Sequence, residues 1–164
     1  MAYNHFDYIE NIAKHLKAIG HSDQKRKFYR SVENETMKEV EARISSASGI
    51  ILIAVDSASS DYDYPDGGHN LNEVSEYFFI IAKQTSAKNV ESVFVAQKET
   101  KALCAQVIAK MMEDYVNGIA GLLYLDPSSI TIRGIGPLGS SFHGCIVGFS
   151  LVNTFVPKDP EQWV

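Results

Sequence analysis

The chain is poor in the residues that would cross-link it or hold it in a membrane. Its 164 residues include two cysteines and one tryptophan. No apolar run approaches the roughly 20 residues that cross a bilayer. The N-terminal residues lack both the basic start and the continuous apolar stretch of a secretory signal. We therefore expect a protein that is made in the cytosol, has no membrane partner and does not depend on disulfides.

Positive charge is also scarce. Lys and Arg total 15 against 20 Asp and Glu, which gives a net charge of -5. A general nucleic-acid-binding protein normally presents a basic face, so we expect no specific nucleic-acid partner. The one basic cluster comprises Lys25, Arg26, Lys27 and Arg30. We interpret it as the solvated edge of a strand, because Lys and Arg on an edge discourage unwanted pairing.

Residues that might perform catalysis are present but not in catalytic patterns. The five histidines are scattered, and none forms H-x-x-x-H or H-E-x-x-H, so no zinc site is predicted. His143 follows Ser140 and Ser141, but the nucleophile motif G-x-S-x-G of serine hydrolases is absent. Cys104 and Cys145 lie on predicted core faces without a metal-ligand spacing, which predicts buried, unreactive thiols. The sequence thus favours a protein that is not an enzyme and has no cofactor.

Apolar periodicity predicts the order α-β-α-β-β-α-β-β. A helix is expected at about residues 4–19 and ends at Gly20; it carries Phe6, Ile9, Ile12, Ala13, Leu16 and Ile19 on one face. Further elements are expected at Lys27 to Val32 (strand), Thr36 to Ser45 (short helix), Gly49 to Ser57 (central strand), Val74 to Lys83 (strand) and from a start between 90 and 100 to about Tyr115 (the longest helix). Asp126 and Pro127 are expected to turn the chain into a closing hairpin. The order predicts an α/β (α+β) fold with a mixed, largely antiparallel sheet of four to five strands and two main helices. Residues 1–156 are expected to form one domain and residues 157–164 a tail.

The closing hairpin contains a glycine pattern that resembles a nucleotide-binding motif. Gly134, Gly136 and Gly139 have the spacing G-x-G-x-x-G. In a dinucleotide-binding unit such glycines lie between a strand and a helix, whose N-terminus holds the pyrophosphate. Here Pro137 interrupts the motif and the residues after Gly139 are typical of a strand. We therefore expect these glycines to form a turn that binds no nucleotide.

The segment Ser57 to Leu71 is rich in Asp, Ser, Gly and Pro and is predicted to be a loop. It contains DYDYPDGG, which places Asp61, Asp63 and Asp66 within six residues. Clustered carboxylates suit calcium, but Pro65 stands where an EF-hand has its third ligand and Asn72 where it has Glu. A loop that contacts a partner is favoured, through Tyr62, Asp63, Tyr64 and Asp66. A cytosolic metal- or ligand-binding domain that uses the Asp61 to Asp66 loop remains the alternative.

Four passages of the chain resemble the tail-terminator or tail-completion proteins of tailed phages and contractile injection systems. They are FYRS before a short helix, GIILIAVDS, EYFFIIAK before a long helix, and SSITIRGIGPLGSSFHGCIVGFSL. The last is similar to an ending in which a Ser-Ser-Ile strand, a Gly-Pro turn and a strand ending in Phe-Ser-Leu close the sheet. The long loop from Ser57 to Leu71 and the terminal Trp163 depart from this pattern.

The resemblance implies a non-enzymatic structural subunit of a virion or phage-like particle, assembled in the host cytoplasm. Such a subunit forms a homo-oligomeric ring at the tail end or in the neck that joins head and tail. Six-fold symmetry is the first expectation and twelve-fold the neck alternative. The expected partners are tail tube, neck or portal-associated proteins. Candidate interface residues are Tyr62, Asp63, Tyr64 and Asp66 of the loop, Lys27 and Arg30 of the first strand, and Trp163.

Overall fold

The computed structural model describes residues 3–33, 35, 37–64, 71–86, 89–139, 141–154 and 159–162. Its helices are α1 (His5–His15), α2 (Met37–Ile44) and α3 (Val90–Val116), and its strands are β1 (Phe28–Val32), β2 (Ile50–Asp63), β3 (Asn72–Gln84), β4 (Leu125–Leu138) and β5 (Phe142–Thr154). Short 3₁₀ turns cover Ile119–Tyr124 and Pro160–Gln162. The predicted order of elements is confirmed.

The five strands form one mixed sheet in the order β1-β2-β3-β5-β4. β1 runs parallel to β2, and the other neighbouring pairs are antiparallel. The predicted fold class, a mixed and largely antiparallel sheet with helices, is therefore confirmed. β1 and β4 are the two edge strands, and the edge position of β1 agrees with the interpretation of its basic cluster.

The side chains of the central strands alternate between two cores. Leu52, Phe79 and Val147 belong to the core beneath α1 and α3, whereas Ile53 and Ile80 belong to a smaller core beneath α2. Because residues 51–54 of β2 and 79–82 of β3 are covered on both faces, these stretches of the sequence are continuously apolar. This explains why GIILIAVDS was recognisable as a central strand.

Two glycines of β5 allow the strands to lie close together. A Cβ atom added at Gly144 would overlap the carbonyl oxygen of Ile81 on β3. At Gly148 it would lie 2.9 Å from the ring of Phe78, so this ring occupies the space over the glycine. The glycines of the closing hairpin thus serve strand packing as well as its turn.

Several predicted boundaries need correction. α1 ends at His15 instead of residue 19, because Leu16 has an extended backbone and a turn leads to Gly20, whose φ is +58°. α2 begins at Met37, and Thr36 lies outside the described residues. Asp126 and Pro127 form part of β4 instead of a turn, where the edge position tolerates a proline that cannot donate a hydrogen bond.

Candidate interaction surfaces

The largest difference from the sequence-based expectation concerns the segment after Asp56. β2 does not end there but continues to Asp63, and residues 60–63 pair with residues 72–75 of β3. The prediction of a loop over Ser57 to Leu71 is therefore wrong for residues 57–63. Pro65 and Asp66 lie outside the described residues. We call residues 57–63 and 72–76 the arm.

Hydrogen bonds from polar side chains stabilise the junction between the arm and the helix-covered part of the sheet. The pairing register shifts between Asp56 and Ser60, and Ala58 has a φ of +50°. An Asp56 carboxylate oxygen accepts a hydrogen bond from the Ala58 amide at 2.9 Å, and the Ser57 hydroxyl donates to the Glu76 carbonyl at 2.8 Å. The irregularity is a β-bulge, and its high content of Ser and Asp is what made the sequence resemble a loop.

The arm is exposed and acidic. Between Arg43 and Lys83 the sequence has no Lys or Arg but has Asp56, Asp61, Asp63, Asp66, Glu73 and Glu76. Asp61 and Asp63 are exposed, and the side chains of Tyr62 and Tyr64 are 57% and 53% exposed. The outer edge of the arm also lies beyond β1, whose pairing with β2 stops at Asp56. The arm therefore offers carboxylates, phenol rings and a strand edge to the solvent.

The opposite end of the sheet is basic. Lys17, Lys25 and Arg26 are exposed, and no ion pair joins them to another residue in the described part of the chain. Arg26 stacks on the ring of Tyr29 at 4.9 Å, and Asp23 is the one carboxylate of the intervening turn. These residues precede β1, and β1 pairs with the first half of β2. The arm contains the second half of β2, so the two surfaces lie at opposite ends of the sheet. We call Lys17, Lys25 and Arg26 the basic end; sequence reasoning treated two of them only as part of a strand edge.

Lys27 and Arg30, the candidates on β1, are less available than predicted. Lys27 is only 7% exposed and its ammonium donates to the Ser48 carbonyl, so the prediction of a solvated Lys27 is wrong. Burial also lowers the pKa of its ammonium. Arg30 remains half-exposed but forms ion pairs with Glu10 at 2.8 Å and Asp7 at 3.5 Å on α1.

The two edge strands differ in how far their outward groups are engaged. On β1, Arg43 of α2 donates to the Arg30 carbonyl at 2.9 Å, and a Glu35 carboxylate oxygen accepts from the Val32 amide at 3.2 Å. The Ser31 hydroxyl and then the Arg43 guanidinium lower the pKa of Glu35, which keeps this cap ionised. On β4, among the described residues, the side-chain hydrogen bonds to its backbone come from residues of β4 itself. The Asp126 carboxylate accepts from the Ser128 amide, and the Ser129 hydroxyl donates to the Asp126 carbonyl. β4 is thus the more open edge.

The sheet face beneath α2 is only partly covered. Val55, Phe78 and Ile146 are half-buried beyond the end of this short helix, and with Arg133 they line a shallow concavity of about 290 Å³. Sequence reasoning did not find this surface, because an alternating strand does not show which of its apolar positions a helix will reach.

The residues considered for catalysis are bound in structural contacts. The Thr85 hydroxyl donates to the Ser141 carbonyl at 2.9 Å, so Nδ1 of His143, 2.9 Å from the same hydroxyl, donates its proton to Thr85. Within the described residues, the hydroxyl that contacts His143 is thus that of Thr85 and not that of a serine; Ser140 lies outside them. Cys104 and Cys145 are buried and free, as predicted, and burial raises the pKa of the Cys104 thiol to about 12.

The glycine pattern does not form a phosphate-binding turn. Gly134 and Gly136 lie within β4, and only Gly139, with a φ of +57°, lies in the turn. The prediction that all three form the turn is therefore wrong for two of them. A strand, β5, follows the turn where the nucleotide motif requires a helix, as predicted.

Two other kinds of site, a metal centre and a membrane-spanning helix, are absent from the described residues. In the ranges that the structure describes, no three His, Cys, Asp or Glu side chains converge as metal ligands would. In the same ranges, no helix has the length and apolar character needed to cross a membrane. Asp66 and Trp163, both candidate interface residues, lie outside these ranges.

Comparison with known proteins adds no relative. A scan against models of known protein families and a search of curated proteins found no match to this chain.

Proposed function

We propose that this chain is a non-enzymatic structural subunit of a tailed-phage virion or phage-like particle. In this role it forms a homo-oligomeric ring, at the end of the tail or in the neck between head and tail. The proposal includes assembly in the host cytoplasm and contacts with tail tube, neck or portal-associated proteins. Six-fold symmetry is its first expectation and twelve-fold its alternative.

The observation that carries the proposal is the arm. Residues 72–76 of the arm also pair with β5, but the outer strand of the arm contributes little to the core, since Asp61, Tyr62 and Asp63 are all exposed. Its exposed carboxylates and tyrosines suit a contact with another protein, because tyrosine is enriched in interfaces. A second support is the open edge of β4, which can receive a strand from a neighbour.

The four passages that resemble tail-terminator proteins belong mainly to the sheet. FYRS lies in β1, GIILIAVDS supplies the buried part of β2, EYFFIIAK lies in β3, and the long glycine-containing passage spans β4 and β5. The resemblance therefore concerns the sheet framework. The arm and the open edge of β4 are the parts of the sheet that are available for contacts with other proteins.

The test is the composition of purified particles. Particles from the source organism are purified, the chain is identified by mass spectrometry, and its position and copy number are determined by cryo-electron microscopy. We expect one ring of the chain at the tail end or neck. Absence of the chain from intact particles would refute the proposal. A gene neighbourhood without portal, tail tube or sheath genes would count against it.

A further inference from the structure

The two ends of the sheet carry opposite charge. Asp61 and Asp63 alternate with Tyr62 along the exposed arm, so the two carboxylates lie on one face of the strand. Lys17, Lys25 and Arg26 form the basic end, where β1 and the buried part of β2 begin. The molecule therefore has an acidic end and a basic end along its strand direction.

The arm cannot reach the basic end of its own chain. The Lys27 carbonyl accepts a hydrogen bond from the Leu52 amide, so the basic end lies beside Leu52. Asp61 lies nine residues further along the same strand, a separation of about 30 Å at roughly 3.3 Å per residue. The basic end of a chain therefore cannot neutralise the arm of the same chain, and a contact between the two surfaces needs a second copy.

From this arrangement we infer that the acidic arm of one copy docks onto the basic end of the next copy. The carboxylates of Asp61 and Asp63, on one face of the arm, meet the cations of Lys25 and Arg26. The contact joins two different surfaces, so each copy binds one neighbour at each end. Such a head-to-tail contact closes into a ring when the rotation between copies divides a full turn.

The inference rests on the proposed function only in requiring that copies of the chain contact one another. A cleft of about 380 Å³ between α1 and β1 lies beside the basic end. Its wall carries the cations of Arg26, Arg30 and Arg43 and the carboxylates of Glu10 and Asp23. Because the contact is electrostatic, it weakens with salt, as the screening length falls from about 10 Å at 0.1 M to about 3 Å at 1 M.

The test uses two charge-reversed variants of the full chain. D61K/D63K has a defective arm and an intact basic end, and K25E/R26E has the reverse. Sedimentation velocity at low ionic strength is expected to show self-association of the unmodified protein, weakened by about tenfold or more in each variant. An equimolar mixture of the neutral variants D61N/D63N and K25Q/R26Q is expected to form a dimer and nothing larger, because it contains one intact arm and one intact basic end per pair.

Matched controls separate the contact from general charge effects. Glu161→Lys and Lys101→Glu reverse exposed charges elsewhere and are expected to leave association unchanged. D61N/D63N and K25Q/R26Q remove the charges without reversal and serve if a reversed variant fails to fold, as judged by its thermal unfolding.

Three results would overturn the inference. The first is that the unmodified protein stays monomeric at low ionic strength at every concentration. The second is that the variants associate as strongly as the unmodified protein, and the third is that the mixture of variants forms no dimer. None of these bears on whether the chain is present in particles. Conversely, if the chain is absent from particles but the mixture of variants forms a dimer, the proposed function is refuted and the docking contact is supported.

Discussion

The hydroxyl of Tyr8 donates a 2.8 Å hydrogen bond to a carboxylate oxygen of Asp114, which joins α1 to the last turns of α3. Asp114 is only 3% exposed, and its other oxygen accepts from Lys110 at 2.7 Å. Burial, and then the bond to Asp114, raises the pKa of Tyr8 far above its usual value, so the hydroxyl keeps its proton. This bond links the two helices that cover the same face of the sheet.

Tyr8→Phe is expected to lower the free energy of unfolding by about 1–3 kcal/mol, because it leaves a buried carboxylate oxygen without its donor. Urea unfolding measures the difference. Tyr115→Phe is the matched control, since the Tyr115 hydroxyl makes no hydrogen bond to another described residue and its loss is expected to be nearly neutral. Equal effects of the two substitutions would contradict the role of the Tyr8 bond.

His5 predicts a pH dependence of stability. Its Nε2 lies 2.8 Å from the Phe78 carbonyl, and burial lowers its pKa from 6.5 to about 4, with that hydrogen bond opposing the shift. Between these values the unfolded chain binds a proton that the folded chain does not. The contribution of neutral His5 is therefore complete above pH 6.5 and is lost as the pH falls to about 4. Below that it does not change further.

The expected loss between pH 6.5 and 4 is about 3 kcal/mol. Urea unfolding at several pH values measures it, and His5→Gln is expected to remove that part of the slope. His15→Gln, at the exposed end of the same helix, is the control and is expected to retain the slope. An unchanged slope in His5→Gln would show that other groups cause the pH dependence.

The sequence was sufficient for the framework of the fold because its signals are local. Ile9 and Ile12 mark the apolar face of α1 at helical spacing, and the run from Ile50 to Val55 marks a strand covered on both faces. α3 ends at Val116, close to the predicted Tyr115, with Asn117 as its C-cap and Gly118 at a φ of +64°. The parallel pairing of β1 with β2 could not be predicted, because it depends on contacts between residues distant in the sequence.

The candidate surface was predicted less well. Tyr62 and Tyr64 were correctly expected to be exposed, but the arm was expected to be a loop because Ser57 and Asp61 are poor strand formers. Their place in β2 follows from pairing with β3, which outweighs propensity. Lys27 was expected in solvent, whereas the turn before β1 directs its side chain to the Ser48 carbonyl. The basic end could not be recognised from the sequence, because only the pairing of β1 with β2 shows that Lys25 and Arg26 lie at the opposite end of the sheet from the arm.

Gly139 provides a test of the hairpin turn. Its φ of +57° is rarely adopted by other residues, and an added Cβ would lie 3.2 Å from Cγ of Glu41. Gly139→Val is expected to destabilise the protein by about 1–3 kcal/mol in urea unfolding. Gly118→Ala is the control for the backbone term alone, since its φ is +64° but no other atom lies within 4 Å of the added Cβ. A larger loss at Gly118 than at Gly139 would contradict this assignment.

Calcium binding distinguishes the alternative function. Asp61 and Asp63 lie in a paired strand, opposite Val74 and Asn72, and not in a loop that wraps around an ion. We expect no change in the thermal unfolding temperature when calcium is added. An increase that D61N/D63N abolishes, while Glu161→Gln leaves it intact, would support the metal-binding alternative and weaken the proposal of a docking arm.

The last prediction concerns the unequal stability of the two halves of β2. Residues 51–55 pair with β3 and, from Leu52 on, with β1, and residues 51–54 are buried, whereas residues 60–63 pair with β3 alone and are mostly exposed. Amide hydrogen exchange in the monomer is therefore expected to be slow in the first half and much faster in the second, because the arm can open without breaking the core. If the arm docks onto another copy, conditions that promote association should slow exchange at residues 60–63 and leave residues 51–55 unchanged. Equal protection of both halves in the monomer would show that the arm is an integral part of the folded core.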